Sequence, residues 1–132
     1  MSTLTSTDLT VTDANVTNLK DASGGNSSTP AEINSGRAKC WVCFQGNSTA
    51  AIDEAFNMDS LSDTGTGTYT CNVITDFGSE NYVAVGAVCQ SSRGVVSFDS
   101  LTSGVITITT REGHSGTATD YGKVVCAAFG DQ

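Results

Sequence analysis

From residue 38 to the end of the chain, apolar positions come in short runs broken by clusters of Gly, Ser, Asp and Asn. The runs at 38–45, 50–53, 56–60, 68–75, 82–89, 94–99, 105–110 and 123–129 have the length and the β-branched or aromatic content of strands. The sharpest turn signal is Asp63-Thr64-Gly65-Thr66-Gly67, where two glycines free to take positive φ predict a hairpin with Leu61 on one side and Tyr69 on the other. Residues 76–81 and 90–94 read as the next two turns, and 112–120, which has no apolar pattern, as the longest exposed loop. This spacing predicts an all-β chain, an antiparallel β-sandwich of jelly-roll-like kind. Its aromatics are spread one or two per strand, as in a core assembled from many strands. Phe77 and Tyr121, at turn edges, are the two expected at the surface.

The first 36 residues follow another rule. Residues 1–20 alternate loosely between Thr, Ser or Asp and sparse apolar positions, among them Leu9, Val11, Val16 and Leu19. These are too few to make a core. They predict an extended N-terminal arm that orders by docking on a neighbouring subunit or a larger assembly. Residues 21–29 read as a Gly/Ser-rich connector. Thr29-Pro30-Ala31-Glu32 then combines an N-cap threonine, a proline at the first helical position and a glutamate placed to close a capping box. One short helix over 30–35 follows. The predicted organisation is an attachment leader over 1–36 and a sandwich domain over 37–132. The single proline sits at the helix start and never inside a strand, which agrees with the β reading.

Composition narrows the partners. A chain of 132 residues with 38% hydrophobic and 15% charged side chains is long enough for one buried core, but its surface must be made largely of Ser, Thr, Asn and Gly. The net charge of −8 would repel a phosphate backbone, so nucleic acid is not an expected partner. No apolar run approaches the ~20 residues that span a bilayer, and the first residues lack the basic start and apolar stretch of a signal peptide. Synthesis in a cytoplasm is expected, without membrane insertion.

Catalytic and metal-binding chemistry find little to stand on. Cys40-x-x-Cys43 has the spacing of a zinc knuckle, but Trp41 and Val42 between the thiols are strand formers, and a strand sends positions 40 and 43 to opposite faces. His114 is the one histidine, in a glycine-rich loop without a cysteine nearby, and no GxSxG elbow, EF-hand or phosphate loop occurs. The acidic residues fall mainly where turns are expected: Asp53, Asp59, Asp63, Asp76, Glu80, Asp99 and Asp120. Five cysteines, Cys40, Cys43, Cys71, Cys89 and Cys126, cannot all pair within one chain and read mostly as buried thiols. No cofactor is expected. Residues 37–46 become the first core strand, with Cys40, Val42 and Phe44 on one face and Trp41 and Cys43 partly covered on the other, as at a sheet or subunit boundary.

The order of features also resembles a known group. Leu19 to Ile33 with its Gly-Gly-Asn-Ser-Ser-Thr-Pro core, then Gly36-Arg37-Ala38-Lys39, Trp41-Val42 and Phe44 before Gly46, are similar to small tail-fibre-like virion proteins of tailed phages of the marine and cyanophage type. Ala55-Phe56-Asn57-Met58, Gly67-Thr68-Tyr69-Thr70 and Asn81-Tyr82-Val83 continue the likeness, which covers roughly residues 19–90. Cys40, Cys43 and Cys71 stand where that pattern usually has Ala, Asn and Val. The resemblance implies a non-enzymatic virion structural protein, a homotrimer that meets other tail or capsid proteins through its arm and attaches to a host surface glycan. A capsid decoration or cement protein is the alternative. Receptor contacts are expected in the loops at 90–94 and 111–121, on Arg93, His114 and Tyr121.

Overall fold

The computed structural model describes residues 17–21, 23–89 and 93–132, and the chain divides into two compact units after Asn34. In the first unit, β1 (Leu19–Lys20) and β2 (Ser27–Ser28) form an antiparallel ribbon. The stretch read as a connector is therefore in part a hairpin, for a local reason. The Asp21 carboxylate accepts from Ser23 Oγ at 2.7 Å, Gly25 N at 3.0 Å and Asn26 Nδ2 at 2.6 Å, which closes the loop around it. These donors, the Ser23 hydroxyl first, hold the Asp21 carboxyl down at about 2. Helix α1 (Pro30–Gly36) begins with the expected capping box. Glu32 N donates to Thr29 Oγ1 at 3.2 Å, and Thr29 N donates back to Glu32 Oε2 at 2.7 Å. Of the predicted arm residues, Leu9, Val11 and Val16 lie outside the described residues, and Leu19 is exposed on β1.

The second unit is all-β and antiparallel. Its eight strands are β3 (Cys40–Gln45), β4 (Ala51–Phe56), β5 (Met58–Gly65), β6 (Thr68–Val73), β7 (Val83–Cys89), β8 (Gly94–Leu101), β9 (Val105–Glu112) and β10 (Lys123–Phe129). They form two four-stranded sheets, ordered β4-β3-β10-β7 and β5-β6-β9-β8. Three consecutive pairs, β3–β4, β5–β6 and β8–β9, are hydrogen-bonded as hairpins within a sheet. In β3, β6 and β10 every second residue is buried, which is the period of a strand with one face on a core.

That core is one cluster fed by both sheets. Phe44, Val42 and Cys40 from β3 and Val124, Cys126 and Ala128 from β10 meet Tyr69 and Cys71 from β6 and Ile106 and Ile108 from β9. Phe44 and Tyr69 stand edge to face across the sheets, ring centres 4.9 Å apart at 63°. Phe77, expected at the surface, is buried instead. It stacks on Tyr82 at 3.9 Å and 9°, closing one end of the core, and Tyr82 in turn donates its hydroxyl to Thr102 O at 2.9 Å. An aromatic in a turn was misread because the turn folds back over the sandwich. Its main chain ties down there: Phe77 N donates to Ser103 O, and Gly78 N to Asp131 O, both at 2.8 Å.

Two corners explain how the chain changes sheet and closes its ends. Asn57, between β4 and β5, adopts positive φ (55°), and its side-chain amide donates to Lys39 O at 3.0 Å and Thr75 O at 3.2 Å while accepting from Thr75 N at 2.9 Å. An asparagine suits this corner because it tolerates the left-handed region and replaces the missing ladder bonds. At the other end, the predicted hairpin forms with Asp63 opposite Tyr69, its strand β5 running as far as Gly65. Gly67 (φ 66°) is packed so closely that a Cβ there would lie 2.8 Å from Thr119 N.

Candidate functional site

The two sheets turn very different outer faces to the surroundings. On the second sheet the outward positions of paired rows are Ser60 and Asn72, Ser62 and Thr70, Ser100 and Thr107, Ser97 and Thr109, the last covered and bonded to Asp99, and Val95 and Arg111. Apart from Val95, this is a hydroxyl, amide and charged surface. On the first sheet, one cross-strand row runs Phe56, Trp41, Ala127, Val85, and the next Glu54, Cys43, Val125, Ala87. Trp41 is 36% exposed, Val85 51% and Phe56 53%. A shallow groove of about 460 Å³ crosses this face, lined outward by Trp41, Cys43, Val85, Ala87, Val125 and Ala127. Its border toward β4 carries the Lys123–Asp53 pair at 3.9 Å. From β3 across β10 to β7 this outer face is therefore a contiguous apolar strip open to solvent.

In the single chain, the two faces of β3 are thus unequal. Cys40, Val42 and Phe44 are buried at 0–2%, whereas Trp41 remains open. The thiols of Cys40-x-x-Cys43 lie on opposite sides of the sheet, Cys40 in the core and Cys43 on the outer face with its Sγ 3.9 Å from Asp53 Oδ2. Among the described residues no group of three or more His, Cys, Asp or Glu is placed to hold a metal ion. Burial pushes the Cys40 thiol up to about 11, and burial together with the charge of neighbouring thiols pushes Cys71 and Cys126 up to about 12. Native protein is therefore expected to react with a maleimide at Cys43 and Cys89 only, with Cys40, Cys71 and Cys126 labelled after unfolding. Mass spectrometry of labelled peptides checks this, and native labelling of Cys71 would show that the core opens.

The residues expected to touch a receptor come together at one end of the sandwich. Gly113 N donates to Arg93 O at 2.7 Å, joining the β7–β8 and β9–β10 connections. Tyr121, half-buried, donates its hydroxyl to Arg111 O at 3.3 Å. His114 is exposed on a turn that Glu112 organises by accepting from His114 N at 2.9 Å and Ser115 N at 2.6 Å. These donors, Ser115 first, lower the Glu112 carboxyl from its ordinary value. Arg93, His114 and Tyr121 thus share one loop end. Beneath it, Asp120 Oδ1 accepts from Gly67 N at 2.5 Å and from the buried Tyr69 hydroxyl at 2.9 Å, and the same hydroxyl lies 2.9 Å from Gly46 O. Burial and the Asp120 carboxylate raise the Tyr69 hydroxyl well above its ordinary value. The Tyr69 hydroxyl thus meets two connections, at Gly46 and Asp120, and Asp120 ties in a third at Gly67.

Several acidic residues read as turn residues are not in turns. Asp53, Asp59 and Asp99 each sit at a register shift, on β4, β5 and β8 respectively, as the extra residue of a bulge. Bulges and turns share the same taste for Asp, so residue type alone does not separate them. Of the apolar outer face only the β3 part, Trp41 and Cys43, was expected, and its continuation over β10 and β7 was missed. The signal lay in 82–89 and 123–129, whose near-continuous apolar runs mean cover on both faces of a strand. No protein family, no curated protein and no solved structure matches the chain.

Proposed function

We propose that this chain is a non-enzymatic structural protein of a phage virion, tail-fibre-like, which assembles as a homotrimer and attaches the particle to a host surface glycan. The observation that carries the reading is the contrast between the two outer faces: one a Ser/Thr surface suited to water, the other an apolar face that a free-standing monomer would have no use for. Assembly explains it. The loop end that gathers Arg93, His114 and Tyr121 is the adhesive part, and the leader before the sandwich fastens the protein to tail or capsid partners. Supporting residues are the strand and turn motifs through which the sequence resembles tail-fibre-like virion proteins.

Two measurements test it. Labelled full-length chain is expected to bind host cells, and the Arg93→Ala/His114→Ala/Tyr121→Ala variant to lose that binding while keeping its fold; equal binding by the variant would overturn the loop assignment. Quantifying the chain in purified virions separates a fibre, with few copies per particle, from a capsid decoration protein, which would approach the copy number of the capsid lattice.

A further inference from the structure

We infer that two copies of this chain pair edge to edge through β7, antiparallel about Gly86, so that their β4-β3-β10-β7 sheets become one eight-stranded sheet. The sandwich has four edge strands: β4, β7, β5 and β8. An open edge is a row of unpaired N–H and C=O groups, and folded proteins blunt such edges with charges and bulges. Three of the four are blunted here in the same way: β4 bulges at Asp53, β5 at Asp59 and β8 at Asp99. β7 has neither device. Val83-Ala84-Val85-Gly86-Ala87-Val88-Cys89 is uncharged, pairs with β10 in unbroken register, and is hydrogen-bonded to a strand on one side only among the described residues.

The occupant follows from charge and from symmetry. Copies of a chain with net charge −8 repel, and β7 is the one edge of the four that brings no carboxylate against its own image. Mirrored about Gly86, the strand sets a large side chain against a small one in two of its three pairs. A twofold axis there sets Val85 against Ala87 of the second copy, Val83 against Cys89 and Ala84 against Val88, with each residue keeping its face. Gly86 must remain glycine for an intrachain reason, since a Cβ would lie 2.8 Å from Val125 O, so the centre of the pairing is narrow and flat. Joined this way, the grooves around Trp41 lie on one continuous apolar surface. Seven residues span about 23 Å of edge, which buries less than the ~800 Å² per partner of a standard interface, so the pair forms and dissociates with concentration.

Light scattering on the full chain over a concentration series tests the pairing separately from the trimer reading. At high concentration the wild-type mass is expected to be twice that of Val85→Lys and to fall to the variant's mass on dilution. Val85 is 51% exposed, so the variant is expected to keep the wild-type far-UV spectrum. A variant that halves to monomers leaves the trimer reading without support and the β7 pairing intact; equal masses at every concentration, or a threefold drop from trimer to monomer through the apolar face that Val85 also lines, overturn the pairing. A second variant fixes the register. Val83→Cys places a thiol opposite Cys89 of the second copy, and mild oxidation by a diazene, which takes up the two thiol hydrogens, is expected to give a covalent dimer. On one strand positions 83 and 89 are about 20 Å apart and cannot join. A cross-link that persists after adding Cys89→Ser, or none at all in Val83→Cys, overturns the proposed register.

Discussion

Truncating Tyr69 to alanine is expected to lower the unfolding free energy by about 3–5 kcal/mol, a large part of the ~5–15 kcal/mol that holds a domain of this size. The ring is fully buried, stands edge to face on Phe44 at 4.9 Å, and its loss leaves a cavity between the sheets. Tyr69→Phe keeps the ring and removes only the hydroxyl, which bonds Asp120 Oδ1 and lies 2.9 Å from Gly46 O. That variant is expected to cost about 1–2 kcal/mol. Asp120→Ala also strips the acceptor from Gly67 N, 2.5 Å away. In a double-mutant cycle by urea unfolding, Tyr69→Phe and Asp120→Ala are expected to be strongly non-additive, since they share one bond. Additive costs would show that Asp120 does not hold the loop end through Tyr69.

Raising the pH above about 9 is expected to destabilise the fold steeply. Cys40, Cys71 and Cys126 are held at about 11, 12 and 12 in the native state by burial, joined for Cys71 and Cys126 by the charge of neighbouring thiols, whereas an unfolded thiol loses its proton near 8.5. A raised native value means that the folded chain keeps protons the unfolded chain has released. The stabilisation is therefore complete below the unfolded value and is lost as the pH climbs toward the native ones. With three such thiols the slope approaches about 4 kcal/mol per pH unit over the middle of that window. Tyr82, pushed up to about 12 by burial, adds to the fall above pH ~10. Urea midpoints are expected to be flat from pH 7 to 8 and to drop sharply by pH 10.5, and Cys126→Ala, though less stable overall, to lose about a third of the slope. A midpoint unchanged through pH 10.5 would mean that the thiols titrate in place.

Much of the fold was legible residue by residue. Each of the eight apolar runs corresponds to one strand, because a period-two pattern between Gly and Asp clusters admits few other structures. The capping box at Thr29 and Glu32 and the hairpin at Asp63–Gly67 are local chemistry, and local chemistry needs no partner from elsewhere in the chain. Pairing order was not legible: β3 lies beside β10, 88 residues farther on from Cys40 to Ala128, only because both bury one face on the same core.

The candidate site divides along the same line. That Arg93, His114 and Tyr121 belong to loops is written in the glycines and polar residues around them; that these loops share one end depends on strand direction in two sheets. Phe77 shows the limit most clearly, being buried through a turn that folds back onto Tyr82. Which residues alternate, where the chain turns, and that Cys40 and Cys43 part to opposite faces could be read from residue order alone, since these depend on backbone geometry over a few residues. Which outer face is apolar and which edge is undefended emerged with the packing of the two sheets. Exposure is a property of neighbours, and the rows Trp41–Ala127–Val85 and the bare edge of β7 exist only once distant strands have paired.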